Sequence, residues 1–407
     1  MKKTIALLAC LPMIFCCSCK NLVQPLPEEA SSYEQNIIYS YRGDTLDRNG
    51  SFLAGFKYME DGSAKRVFAP DMPFSMSNIL GNLGSEQWGI DYEFDDLLRV
   101  KSTNQEDANT GITIRTTLNS NLQQKVYDTI SQHYSEFKGS VVIMRQNGEI
   151  LADVSYPSFN HLEFDKNAEI IEQSDGFKGR NRSFVSKPLH MRILNLIPGL
   201  SEKPENVLSD IHFYDSEYLD CDFGCLEENH IDKENNSVGF MKVSPIYLAA
   251  LLRKALIEDA VMPKPFMLLD FSDPDDHSIK LSDEEIISKL EDKGIDASKI
   301  ERCKRRLEQR RTSIDITLDP ALFKEDAFSA SKYCFTPKID ESRFKFAGKS
   351  ETEKSDCFWL YGMLLDSQEP NNSLIIVSAN TAGIKDQEEM KILFQLLIDD
   401  VISSDPV

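Results

Sequence analysis

The stretch "SVVIMRQNGEILADVSYPSFN", Ser140 to Asn160, constrains this chain more than any other: two apolar runs stand on either side of Asn147-Gly148. Asn-Gly adopts positive backbone dihedrals at little steric cost, so the pair predicts a tight hairpin between two buried strands. Upstream, Leu122, Val126, Ile130 and Phe137 fall close to helical spacing behind Asn119, a residue suited to a helix start. Downstream, "SRFKFAGK", "DCFWLYGMLL" and "NSLIIVSAN" read as three strands, followed by an amphipathic run from Gln387 to Ile402. Helix, two strands, a helical middle, three strands and a helix form an α+β order.

Two further local signals frame that core. Asp47-Arg48-Asn49-Gly50 predicts a turn between extended segments. Ser244-Pro245 opens a helix, the serine capping free amides and the proline fitting the first turn, and "IYLAALLRKALI" buries one face. A charge-rich insertion at about 270–312, acidic first and then basic in "SKIERCKRRLEQRR", reads as a solvated helix with local charge pairing. A protein-docking face built on Arg305, Arg306, Arg310 and Arg311 is the alternative.

At 407 residues the chain exceeds one ordinary core, so more than one domain is expected. A formal net charge of -21 argues against nucleic-acid binding, which needs clustered lysine and arginine. Lys2 and Lys3 precede an apolar stretch from Ile5 to Phe15, the pattern of an export signal and too short to span a bilayer comfortably. Cys19, after the small Ser18, resembles the lipidated cysteine of bacterial lipoproteins; Cys16 stands where a leucine is usual, which leaves Cys17 as a second acceptor. Residues 20–36, polar and proline-bearing, suit a tether. The cysteines beyond them, Cys221, Cys225, Cys303, Cys334 and Cys357, are odd in number and form no disulfide framework. His212, Cys221, Cys225 and His230 match no zinc spacing, and nothing points to a required cofactor.

"YRGDTLDRNGSFLAG", Tyr41 to Gly55, resembles the opening of class B penicillin-binding proteins, and "ILGNLGSEQWGIDYEFDDLL", Ile79 to Leu98, resembles a later stretch of the same family. The helix, hairpin and "PSFN" resemble the start of its transpeptidase domain, and Val238 to Leu268 resembles its sheet-supporting helix. The resemblance implies the serine transpeptidase and β-lactamase fold with a small extended N-terminal domain. It divides the chain into a signal peptide (1–19), a tether (20–36), an N-terminal pedestal or dimerisation-like region (37–112) and a transpeptidase-like domain (113–407).

In that family a serine at a helix start, with a lysine three residues on, attacks the terminal D-Ala-D-Ala peptide of cell-wall stem peptides. A Ser-x-Asn loop and a Lys-Thr-Gly edge strand, which pairs with the substrate backbone and favours its carboxylate, complete the machinery. Here Lys187-Pro188 aligns with the first motif's lysine, and Phe184 stands at the serine position. A second alignment, on "PGLSEKP", sets Leu200 there. Ser183, Ser186 and Ser201 are the candidate displaced nucleophiles, and no Ser-x-Asn of the right placement follows. Gly348-Lys349-Ser350-Glu351-Thr352 aligns with Gly-Lys-Thr-Gly-Thr: Lys349 survives, Ser350 replaces threonine and Glu351 replaces glycine. Like charges about 4 Å apart near a protein surface repel by roughly 4 kcal/mol, so Glu351 is expected to weaken binding of an anion. Together these residues imply an exported, lipid-anchored periplasmic protein of the bacterial envelope whose catalytic machinery has degenerated. Its expected partners are cell-wall synthesis proteins or stem peptides, and a divergent active D,D-transpeptidase or carboxypeptidase is the alternative.

Overall fold

Gly50 adopts φ +84°, and around it β1 (Thr45–Leu46) turns back into β2 (Phe52–Tyr58), as Asn49-Gly50 requires. One Asp47 carboxylate oxygen accepts from the backbone amides of Asn49 and Ser51, at 2.8 and 2.7 Å, and closes the turn. The computed structural model describes residues 42–58, 64–81, 89–99, 111–163, 242–273, 279–292, 295–352 and 357–404, with isolated short pieces at 184–185, 193, 196–197 and 209–210.

After β3 (Ala64–Phe68) come three short helices, α1 (Ser77–Leu80), α2 (Gly89–Glu93) and α3 (Asp95–Leu98), and then β4 (Thr113–Thr116). Helix α4 (Ser120–His133) starts where the Asn119 side chain accepts from the amide of Leu122. It buries Leu122, Val126 and Ile130 and ends before Phe137, which is buried in the turn that follows. The central hairpin is β5 (Gly139–Arg145) and β6 (Ile150–Tyr156), with Gly148 at φ +100° in its turn. A two-residue pair, β7 (Phe184–Val185) with β8 (Lys242–Val243), leads into α5 (Pro245–Leu256), whose first turn is capped by Ser244 accepting from the amide of Tyr247.

The charged insertion contributes β9 (Leu268–Ser272), β10 (Lys280–Leu281), α6 (Asp283–Asp292) and α7 (Ala297–Ile314). Its exposed side pairs charges locally, as Lys304 does with Glu291 at 2.9 Å. The inner side departs from a solvated helix: Ile286, Leu290, Ile300, Cys303 and Leu307 enter the main core. Arg306 is buried against Glu93 and Arg310 pairs with Asp283, so those two arginines face inward and build no docking face.

The last third is β11 (Phe344–Thr352), β12 (Phe358–Asp366), β13 (Leu374–Asn380) and α8 (Gln387–Ser403). The strands form an antiparallel sheet in the order β11-β12-β13-β5-β6. One face packs on α5 and continues into the N-terminal core, and the other lies under α4 and α8. A second sheet, β10-β9-β4-β1-β2-β3, joins the N-terminal hairpin to residues 113–116 and to the insertion, with β1 parallel to β4. The architecture is α+β, two sheets flanked by helices.

Candidate active site

Successive residues of a strand face opposite sides, and this sorts the motif on β11. Lys349 and Glu351 share one face, on which Tyr361 and Trp359 stand directly across on β12. Lys349 Nζ lies 2.5 Å from Glu351 Oε1, and the two side chains are only 6% and 4% exposed. Tyr361 Oη donates to Glu351 Oε2 at 3.4 Å, and its ring meets Phe328 edge-on at 5.5 Å. Glu351 is therefore no bare charge set against an incoming anion: it neutralises the one lysine of the motif from two residues away. Ser350 points the other way, where it is 1% exposed and its Oγ donates to Gln387 Oε1 at 2.6 Å, at the start of α8. The structure thus separates Lys349 from Ser350, whereas the resemblance implies that lysine and hydroxyl act on the same carboxylate.

Gly348 lies directly opposite Gly362, and the Phe346 ring covers both: a Cβ on either would come within 2.2 or 2.5 Å of Phe346 Cζ. On its outer side β11 is not open at the motif. Cys334 bridges Lys349 in antiparallel fashion, the Phe335 amide donates to Gly348 O at 3.2 Å, and the Ser350 amide donates to Tyr333 O at 3.2 Å. The Phe335 ring anchors this contact by packing on Phe346 and Phe394, with centroids 5.9 and 5.1 Å away.

At the aligned nucleophile position the backbone is a strand, Phe184 pairing with Val243, and phenylalanine offers no nucleophile. Lys187, Ser183, Ser186 and Ser201 lie outside the described residues, as do Cys17, Cys19, His212, Cys221, Cys225 and His230. Among the described residues no group of His, Cys, Asp and Glu is arranged to hold a metal ion.

Sequence reasoning missed two buried titratable groups on the far side of the sheet. Asp153 on β6 is pushed up to about 7 by burial. His161 is lowered to about 4, chiefly by burial; its ring lies edge-on to Phe68 at 4.6 Å, and among the described residues neither nitrogen has a hydrogen-bond partner. An aspartate inside the apolar run "ILADVSY" was a visible signal for the first. Nothing local marks the second.

No family model and no curated protein matches the sequence. Solved structures do. The D,D-transpeptidase domain of a peptidoglycan glycosyltransferase from Eggerthella lenta matches with a TM-score of 0.55 at 15% identity, over 90% of this chain and 99% of that one. Penicillin-binding protein A from M. tuberculosis, solved as an imipenem acyl-enzyme complex, matches at 0.56 and 14% identity, over 90% and 100%. Penicillin-binding protein 3 from the same organism matches at 0.57 and 12%, over 90% and 97%. At such identities the likeness establishes the fold, that of penicillin-binding transpeptidase domains.

Proposed function

We propose that a chain with the fold of a penicillin-binding transpeptidase domain serves here a non-catalytic role in the bacterial envelope, as a scaffold or peptide-binding module of cell-wall synthesis. The observation that carries this is the buried Lys349–Glu351 pair. A lysine that recognises a carboxylate works by offering its charge to the ligand; this one already holds a carboxylate of its own strand. Phe184 at the aligned serine position supports the same reading, because acyl transfer to the protein needs a nucleophile there. Fold outlives activity because packing is spread over whole elements whereas the chemistry rests on a few side chains. The export-type N-terminus and Cys19 support lipid anchoring at the envelope; among the described residues no helix is long and apolar enough to cross a membrane.

Labelling of the purified protein with a fluorescent penicillin, followed by denaturing electrophoresis and mass mapping, tests the proposal. No adduct on folded protein is the expected result. An adduct on Ser183, Ser186 or Ser201 overturns it and makes the chain an active acyl-transfer enzyme with a displaced serine.

A further inference from the structure

Far from the motif on β11, three aromatic rings stand in a row at the opposite edge of the same sheet. Phe74, just before α1, stacks on Tyr127 of α4, with centroids 6.3 Å apart and planes 10° from parallel. Tyr127 in turn lies 5.8 Å from Tyr156, which ends β6. Two bonds hold the rim of this row: Ser158 Oγ donates to Phe74 O at 2.6 Å, and the His161 amide donates to Pro73 O at 3.1 Å. Yet Phe74 and Leu162, beside those bonds, are each 41% exposed. Grouped apolar side chains left in water mark a surface that something covers. The polar edge of the row is two phenols, and burial pushes Tyr127 up to about 12, which keeps it a hydrogen-bond donor. Rings with phenol donors at their edge suit a polyproline-type segment, which makes no internal hydrogen bonds and presents bare carbonyls.

We propose that residues 22–27 of the tether, "LVQPLP", dock on this row of rings as an extended strap. Pro25 and Pro27 fix their own backbone dihedrals and bias Gln24 and Leu26 towards extended ones, so the stretch loses little freedom on docking. At three residues per turn Leu22 and Pro25 share one ridge and Val23 and Leu26 the next, which gives an apolar side two ridges wide. The tether also reaches. From Arg42, where the described chain begins, touching side chains lead to the row: Arg42 and Arg66 lie over the Phe56 ring at 5.9 and 5.3 Å, Arg66 over Phe68 at 4.6 Å, and Phe68 meets His161 at 4.6 Å. The 15 residues from Pro27 to Arg42 span up to about 50 Å, which covers that path. A flexible connection of this kind holds the segment at an effective concentration on the order of 1 mM, so a dissociation constant near 0.1 mM fills the row about nine-tenths of the time. With Cys19 as the anchor, a docked strap keeps the folded body at the membrane, where a free tether lets it range. The docking is independent of whether the site on β11 is catalytic.

Hydroxyl-radical footprinting read by mass spectrometry, on the purified protein carrying its tether, tests this. Phe52 at the start of β2 is the internal standard, a phenylalanine of nearly equal exposure, 38%, on another element. In the unmodified protein Phe74 should label at least about threefold more slowly than Phe52, because the strap covers it most of the time. Pro25→Gly with Pro27→Gly frees the backbone, and Leu22→Asp with Leu26→Asp takes an apolar side chain from each ridge. In either double variant Phe74 labelling should rise at least about threefold, while Phe52 and Tyr92 of α2 keep their rates and so certify a folded body. Phe74 labelling as fast as Phe52 in the unmodified protein overturns the proposal, as does protection that survives either pair of substitutions. Protection that grows with protein concentration and ignores the tether variants also overturns it, and gives the row to a second copy of the chain.

Discussion

At position 351 a single replacement changes what the strand can do. With glycine there, Lys349 would face solvent or ligand without a partner on its own strand; with glutamate the ammonium is held in a buried pair. Breaking a buried pair by removing one partner leaves an uncompensated charge and costs about 3–5 kcal/mol, whereas replacing both partners with apolar residues of similar size is often neutral or stabilising. Glu351→Gln should therefore lose about 3–5 kcal/mol in urea denaturation, while Lys349→Met combined with Glu351→Leu should stay within about 1 kcal/mol of the unmodified protein or exceed it. A neutral Glu351→Gln would mean that the pair is not buried in solution, and the main support for a non-catalytic role would fall. The letters Lys349, Ser350 and Glu351 were legible in the sequence, and strand alternation alone puts lysine and glutamate on one face. The Ser350–Gln387 bond was not, because its partners lie on different elements whose docking no local pattern specifies.

Elements with their own start and stop chemistry were the most legible. Asn119, Asn147-Gly148 and Ser244-Pro245 each placed a boundary, because caps and turns are settled by a few neighbouring backbone groups. Helix α5 offers the cleanest check: the Ser244 Oγ accepts from the Tyr247 amide at 3.1 Å, and both residues are buried. Ser244→Ala should cost about 1 kcal/mol by thermal or urea unfolding, and Ser244→Asp, which keeps an acceptor, should recover most of it. Equal loss in both variants would mean that the hydroxyl serves packing and not the cap. The strip Tyr333–Phe335 shows the opposite case. Three residues carry no alternation, and what fixes them is an edge that appears only once β11 has found β12.

Across the described residues, long-range pairing ties distant parts of the chain together and hides most from the sequence. The six-stranded sheet takes strands from residues 45–68, 113–116 and 268–281, and Arg306 of the insertion is buried against Glu93 of α2. A charge-rich run looks solvated until its partner is known. The same burial sets how stability varies with pH. His161 is lowered to about 4 from 6.5, so between those values the unfolded chain binds a proton that the folded one does not, and stability falls as pH drops through the window. Asp153 is raised to about 7 from 3.8, so the folded chain keeps a proton that the unfolded one has released, and stability falls as pH rises through that window. The two slopes, each up to about 1.4 kcal/mol per pH unit, oppose one another between roughly pH 4 and 6.5. Subtracting the unmodified protein's stability curve from each variant's cancels all other groups. The Asp153→Asn difference should then rise with pH, by about 4 kcal/mol in all, and the His161→Leu difference should fall by about 3 kcal/mol. Urea titrations from about pH 4 to 8 measure both, and difference curves that stay flat would show that neither side chain keeps its buried protonation state in the folded protein.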